Sequence, residues 1–487
     1  MANKPPQPGS FVPQQNVGVL DSPEEVLSTM TREGKRRWLY PTPSHGTFYR
    51  WRRIVAWALI LLYFFLPIIP INGQPAVLLD FIHREFALFG IIFYPTDTVL
   101  LMLALILVLL TVVFGTALLG RVWCGWACPQ TVYLEFVYRP IERLIEGREH
   151  VRKRRDEGPW TWDKIWRKTL KLSIYLVISL VLANTFVAYF VGWNNLLAWM
   201  TDPPTAHWGF FVMMAFTTAL VMFDFTYFRE QMCTITCPYA RMQSVLLDPD
   251  SLIVSYDPNR GEPRAKRSKK KIEMEMQGLI PALGDCIDCG ACVRTCPTGI
   301  DIRDGLQMEC IACTQCIDAC DEIMDRIGKP HGLIRYTSEN ALEGKPTRIL
   351  RPRTVLYSAL LVLLGAIFVM TLTSRGAYDI NVGRSVGAPY TILPDERVAN
   401  RLRFRVRNQT NHPSAFTVTP VAPPGAELRV VGVTPVPLEP GEMKRVETWV
   451  IVPPDDFTAG SVDGVFRLDF DDGFTTDVTF RLLGPSE

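Results

Sequence analysis

The sequence predicts a multi-domain membrane protein: a five-helix transmembrane bundle, a cysteine-rich cytoplasmic insert before the last helix, and a C-terminal immunoglobulin-like β-sandwich. Three observations carry that expectation. Long apolar stretches alternate with basic segments up to about residue 373, all 12 cysteines lie between Cys124 and Cys320, and period-two apolar runs recur through residues 377–487. Charge segregated in this way is a membrane signature. The net charge of +2 over 487 residues gives no sign of nucleic acid as a partner.

Residues 1–50 form a polar, Pro-rich cytoplasmic N-terminal segment. It lacks the apolar core and small-residue cleavage site of a signal peptide, so the first membrane helix is expected to direct targeting. Residues 51–249 hold four spans, at 54–71, 98–119, 172–191 and 208–228, and a fifth follows at 354–373. Each approaches the roughly 20 apolar residues that a bilayer requires. Pro67 and Pro70 suggest a kink or early exit from the first, and Asp224 falls near the far end of the fourth. The stretch 86–94 is too short to span and suits the membrane interface. Trp51, Trp57, Trp160, Trp162 and Trp166 flank spans as interfacial anchors.

Lysine and arginine set the orientation. Arg50, Arg52 and Arg53 precede the first span, while Arg121, Arg139, Arg143, Arg148 and the run Arg152-Lys153-Arg154-Arg155 follow the second. Arg229, Arg241 and the cluster from Arg260 to Lys271 follow the fourth, and Arg348, Arg351 and Arg353 precede the fifth. Segments 72–97 and 192–207 hold only Arg84 between them. Positive charge marks the cytoplasmic side. The expected topology is therefore multi-pass in a bacterial inner membrane, with the N-terminus and every cysteine in the reducing cytoplasm and the C-terminal domain periplasmic.

Two cysteine pairs follow spans. Cys124-Gly-Trp-Ala-Cys128-Pro129 comes after the second and Cys233-Thr-Ile-Thr-Cys237-Pro238 after the fourth, so both sit at the same face. A separation of four residues would put both sulfurs of a pair on one helical face, and the proline would favour a fresh helix start. Four thiolates could converge on one soft metal, with Cu(I), zinc or iron each acceptable. One such pair could be ordinary core packing; two equivalent copies point to a function. His83 and His207 lie in the two outer loops and could ligate copper or haem, although each stands alone and suits a polar surface role.

Within 250–353, residues 286–297 read C-I-D-C-G-A-C-V-R-T-C-P and 310–321 read C-I-A-C-T-Q-C-I-D-A-C-D. Three close thiolates can grip one iron–sulfur cube from a single loop, and the fourth, beginning a helix that leads away, reaches the other cube. A bacterial-type two-[4Fe–4S] ferredoxin insert is expected, with Cys286, Cys289, Cys292 and Cys320 on one cluster and Cys310, Cys313, Cys316 and Cys296 on the second. Two zinc ions could use eight thiolates, but this spacing with Cys296-Pro297 is far more specific to clusters. The second run ends Cys320-Asp321 rather than Cys-Pro, which should alter packing and potential without losing a ligand. The basic run before the block suits a solvated membrane-proximal loop.

After the span at 354–373, alternation takes over: Leu402, Phe404, Val406; Val446, Thr448, Val450, Val452; Phe466, Leu468, Phe470; Val478, Phe480, Leu482. Turn signals at Pro423-Pro424-Gly425, Pro440-Gly441 and Asp472-Gly473 separate them. This reads as an antiparallel sandwich of about seven strands over 377–487, without an inter-sheet disulfide and suited to binding or packing.

By these residues the chain resembles the cytochrome c oxidase accessory proteins called FixG, RdxA or CcoG. The likeness runs through R-V-W-C-G-W-A-C-P-Q-T-V at 121–132, F-R-E-Q-M-C-T-I-T-C-P-Y-A-R at 228–241 and Y-D-P-N-R-G-E-P-R at 256–264. It continues in D-C-I-D-C-G-A-C-V-R-T-C-P-T-G-I-D-I-R-D-G-L-Q at 285–307 and G-L-I-R-Y-T at 332–337. The resemblance implies assembly of the cbb-type haem–copper oxidase, with oxidase subunits or copper chaperones as partners and copper as substrate. Cys124, Cys128, Cys233 and Cys237 would bind Cu(II) and reduce it to Cu(I), and the eight ferredoxin cysteines would supply electrons from a donor the sequence does not name. Two alternatives use the same parts: a quinol dehydrogenase-type electron-transfer subunit, and a non-enzymatic oxidase assembly scaffold.

Overall fold

The computed structural model describes residues 28–31, 35–81, 85–94, 97–266, 277, 282–410 and 412–485. They form two compact units. One comprises the described residues of Met1–Ile69, Val77–His83 and Thr98–Phe368, and the other those of Pro70–Ala76, Arg84–Asp97 and Val369–Glu487.

Among the described residues, four helices are long and apolar enough to cross a membrane: Thr98–Leu119, Trp162–Val191, Trp208–Phe228 and Pro352–Thr373. They turn large apolar side chains outward, among them Leu105, Val177, Phe216 and Val362. Exposed apolar surface on this scale marks a membrane protein. The helix expected from 172 starts earlier. Thr161 caps it by accepting the Lys164 amide at 3.3 Å, and the Lys164 ammonium donates to the Asp156 and Gly158 carbonyls at 3.0 and 2.8 Å. Its polar first turns thus extend the helix beyond the apolar stretch.

The first expected span is where the structure differs. Its helix runs over Thr47–Phe65 and stops just before Pro67. Beyond the turn, Pro70–Ile71 pairs antiparallel with Gln74–Pro75. Proline removes an amide donor and disfavours helical geometry in the residue before it. The uncharged part, 54–65, therefore covers only roughly 18 Å at ~1.5 Å per residue, short of the ~30 Å hydrocarbon core. Among the described residues, four of the five expected spans reach full length. Residues 86–94 form a hairpin, Glu85–Leu88 against Ile91–Phe93, within the second unit.

In the cysteine-rich insert, helices Ala291–Thr295 and Gln315–Arg326 pack together, and the antiparallel strands Ile253–Tyr256 and Ile334–Thr337 pair beside them. Val254, Ile300, Ile302, Ile317, Met324 and Leu333 are buried in its core.

The second unit is the sandwich. One sheet orders Glu427–Val430, Met443–Val452, Val398–Asn408 and Tyr378–Arg384, with Thr391–Ile392 also paired to Val398–Asn408. The other orders Val436–Leu438, Ser414–Ala422, Ser461–Phe470 and Thr475–Leu483. Leu402, Phe404 and Val406 face inward between outward arginines and meet Phe416, Phe466 and Leu468 across the core. The described residues hold nine strands against the expected seven or so, because Thr391–Ile392 and Val436–Leu438 are too short to show a period of two. In place of a disulfide, the Tyr378 ring stacks on Phe470 with centroids 3.7 Å apart. Its hydroxyl donates to Asp472 at 2.8 Å.

Candidate iron–sulfur and thiol site

Two neighbouring cavities of similar size open inside the insert. One is lined by Cys292, Cys296, Cys310, Cys313 and Cys316. The other is lined by Cys286, Cys289, Cys292 and Cys320. Apart from Arg303 in the second, their walls carry no charged side chain. The two loops share one conformation. Asp288 and Gly290 have φ of 51° and 65°, and Ala312 and Thr314, at matching places after Cys310, have 52° and 63°. A β-branched residue is a clear outlier in that left-handed region; Thr314 holds it with its hydroxyl on the Cys313 carbonyl at 2.6 Å.

The fourth cysteines do not begin outgoing helices as expected. Cys296 closes Ala291–Thr295 as its C-cap, whereas Cys320 lies inside Gln315–Arg326. Pro297 ends the first helix. Asp321 at the matching place lets the second continue and accepts the Gly332 amide at 3.1 Å. The missing proline therefore has a structural consequence. One helix presents Cys316 to one cavity and Cys320 to the other.

The cavities suit clusters better than single ions. Among the described residues, no three His, Cys, Asp or Glu side chains close around a single-ion position, as four thiolates at ~2.3 Å from zinc would. Burial pushes the bare thiols of Cys292, Cys310 and Cys313 up to about 11 and Cys320 up to about 12. Such thiols ionise only on meeting a metal.

The two C-x-x-x-C-P motifs repeat a different local geometry. Cys124 lies in the short helix Val122–Trp126 and Cys233 in the π-helical turn Met232–Thr236. Cys128 and Cys237 are extended, each an N-cap before the proline that starts the next helix. The residue before proline avoids the helical region, so the two sulfurs of a pair do not share one helical face as expected. Instead the Cys128 amide reaches back to the Trp123 carbonyl and the Cys237 amide to that of Met232, both at 2.9 Å. Cys124 donates to Gln243 Oε1 at 2.9 Å. Burial pushes its thiol up to about 11, against the nearby Arg121 charge. Cys128 is also raised by burial, with the amides of Thr131 and Gln130 opposing. The four sulfurs influence one another electrostatically but do not close on a single-ion position.

These thiols meet the insert directly. Cys124, Ile311 and Cys313 form one buried cluster, with Cys233 and Tyr239 packed against it. Trp126 Nε1 donates to the Tyr336 hydroxyl at 3.0 Å, which donates to the Ala312 carbonyl at 3.2 Å. The guanidinium of Arg121 donates to the Met308 carbonyl, and Arg52 Nε donates to the Gly125 carbonyl at 2.9 Å.

A buried ionic network, unseen in the sequence, backs the junction. Arg139 pairs with Glu135 and donates to the Pro297 carbonyl at 3.3 Å. Glu135 accepts from Gln315 at 3.2 Å. Glu142 joins Arg229 and, at 2.6 Å, Arg152. Burial opposes its ionisation, yet the two guanidiniums outweigh it and hold the Glu142 carboxyl well below the usual range. Arg139, Arg152 and Arg229 read in sequence as orientation markers; here they are buried and paired. Asp318, between Cys316 and Cys320, accepts the amides of Phe48 and Tyr49 at 3.1 and 2.7 Å. It thereby caps Thr47–Phe65, whose own N-cap is Gly46. His207 stacks on Trp199, and its Nε2 lies 3.2 Å from Asp202. His83 lies outside the described residues.

A 4Fe-4S dicluster domain profile matches residues 228–339, a 4Fe-4S binding domain profile residues 101–148, and the Ig-like fold at the C-terminus of FixG residues 368–485. The nitrogen fixation protein FixG of Rhizobium meliloti is 31% identical over 492 residues, covering 90% of this chain and 91% of its own. Protein RdxA of Cereibacter sphaeroides is 39% identical over 353 residues, covering 70% of this chain and 72% of its own. Protein RdxB of the same organism is 34% identical over 414 residues, covering 82% and 85%.

Proposed function

This chain belongs to the FixG, RdxA and CcoG family, and on that premise we propose that it is a cupric reductase supporting assembly of a cbb-type cytochrome c oxidase. At the coarser level it is a membrane iron–sulfur electron-transfer protein with two 4Fe-4S-binding domains. Cys286, Cys289, Cys292 and Cys320 hold one [4Fe–4S] cluster, and Cys310, Cys313, Cys316 and Cys296 the second. Bound there, the clusters supply electrons singly.

The observation that carries this reading is the packing of Cys124 on Ile311 and Cys313, which sets the thiol site against the wall of a cluster cavity. The substrate Cu(II) gains one electron at Cys124, Cys128, Cys233 and Cys237 and leaves as Cu(I), the soft form that thiolates prefer. Copper chaperones or oxidase subunits take up the product. The short helix Thr47–Phe65, with Ile54, Leu61 and Leu62 turned outward, serves as a fifth membrane helix. The N-terminus and all cysteines then lie in the cytoplasm and the sandwich in the periplasm.

Purified full-length chain, reduced with dithionite, freed of excess reductant by anaerobic desalting and then mixed with Cu(II), should yield Cu(I) trapped by a chromogenic chelator. Cys124→Ala and Cys237→Ala should abolish that yield while both cluster EPR signals persist. An unchanged rate in both variants would remove the thiol site from the mechanism.

A further inference from the structure

Arg52 stands in an unusual position for a charged residue. It is 0% exposed, and its Nε donates to the Gly125 carbonyl, but its two terminal nitrogens have no hydrogen-bond partner among the described residues. The Asp318 carboxylate is within electrostatic reach of Arg52 but accepts the amides of Phe48 and Tyr49 instead, and a buried cation without a hydrogen-bonded anion is destabilising. What lies next to it is the cavity lined by Cys310, Cys313 and Cys316. The Gly125 backbone that Arg52 holds is pressed on Cys313, and the Arg52 charge favours the thiolate of Cys313. Arg121, also buried and with Nε unpartnered, favours the thiolates of Cys124 and Cys310 in the same way. The acid facing Cys310 is Glu309.

The other cavity is electrostatically different. Its one lining cation, Arg303, is paired at 2.6 Å with both Asp288 and Asp301. Asp321 adds negative charge beside Cys320, while Cys292 feels both Arg303 and its partner Asp301, the cation more strongly. An iron–sulfur cluster with its four thiolates is an anion that gains a further negative charge on reduction, and its potential responds to local charge and hydrogen bonding.

We propose that Arg52, aided by Arg121, sets the order of the two potentials. The guanidinium lies behind the contact of Gly125 with Cys313, raises the reduction potential of the cluster held by Cys310, Cys313, Cys316 and Cys296 above that of its neighbour, and so settles the electron beside Cys124. Arg52 is thus a positioning residue that acts through the cluster and not on copper. The inference rests on the assignment of clusters to the two cavities.

The test is an EPR-monitored dithionite titration of the full-length chain in detergent. The wild type should show two one-electron waves, of which Cys313→Ser alters the higher. Arg52→Gln should lower the higher wave so that the reduced-to-oxidised ratio at fixed potential falls at least tenfold, about 59 mV for one electron. The lower wave should stay in place, and Arg52→Lys, which keeps the charge, should recover much of the shift. Should Arg52→Gln fail to retain two clusters, Arg121→Gln replaces it with the same criterion. Two clusters with an unmoved higher wave would overturn this inference alone; a wild-type chain that binds no clusters would overturn the functional reading beneath it.

Discussion

Gly125 and Cys313 meet backbone to backbone. A Cβ placed on Gly125 would lie 2.8 Å from both the Cα and the amide nitrogen of Cys313, and 2.6 Å from the Ile311 carbonyl oxygen. The C-G-W-A-C-P motif therefore needs its glycine for closeness, since a methyl group would strike main chain that has no rotamer to yield. Gly125→Ala should cost about 1–3 kcal/mol of stability, as overpacking does, and should slow copper reduction with cluster content intact. Thermal unfolding and stopped-flow reduction would read the two effects; an alanine variant as fast as wild type would show that electrons do not cross here.

Asp318 ties the insert to the first helix. Asp318→Ala should free the amides of Phe48 and Tyr49 and cost about 0.5–2 kcal/mol, the usual range for a lost N-cap. Hydrogen exchange at residues 48 and 49 should quicken, and Asp318→Asn should restore most of the protection. Equal protection in the alanine variant would mean that the contact carries no energy.

Glu142 anchors the buried ionic network. Glu142→Gln leaves Arg229 and Arg152 buried without their shared anion, so a loss of about 3–5 kcal/mol is expected at neutral pH. The carboxyl is held below its usual value in the fold, so its contribution is complete above about pH 4.3 and is lost as the pH falls toward the folded value. The difference in Tm between wild type and Glu142→Gln should thus be flat from neutral to mildly acidic pH and shrink on further acidification. A gap that widened on acidification would contradict the direction of the shift.

Serine at Cys320 should disturb the cluster held by Cys286, Cys289 and Cys292, while serine at Cys296 should disturb the one held by Cys310, Cys313 and Cys316. EPR of the two variants distinguishes this crossed pattern from one in which each run holds its own cluster.

The dicluster domain is legible because its cysteines are local: three within seven positions announce it from the chain alone. Alternation around Phe404 and Phe466 likewise announced the sandwich, since each strand states its own pattern. What escaped depends on contacts between distant residues. Arg52, Arg139 and Arg229 look identical to solvated topology signals until the fold buries them. The same holds for Gly125 against Cys313, and for Asp318 against the amide of Tyr49. The first helix was overdrawn because composition counts 66–71 as apolar, whereas Pro67 and Pro70 withdraw the donors that a helix needs.

Cys316 and Cys320 ride on one helix, yet each lines a different cavity. A group bound in one cavity would order the helix that lines the other, so occupancy of the two would be coupled. Because Asp318 rides on that same helix and caps Thr47–Phe65, the order of the insert is also shared with the first helix.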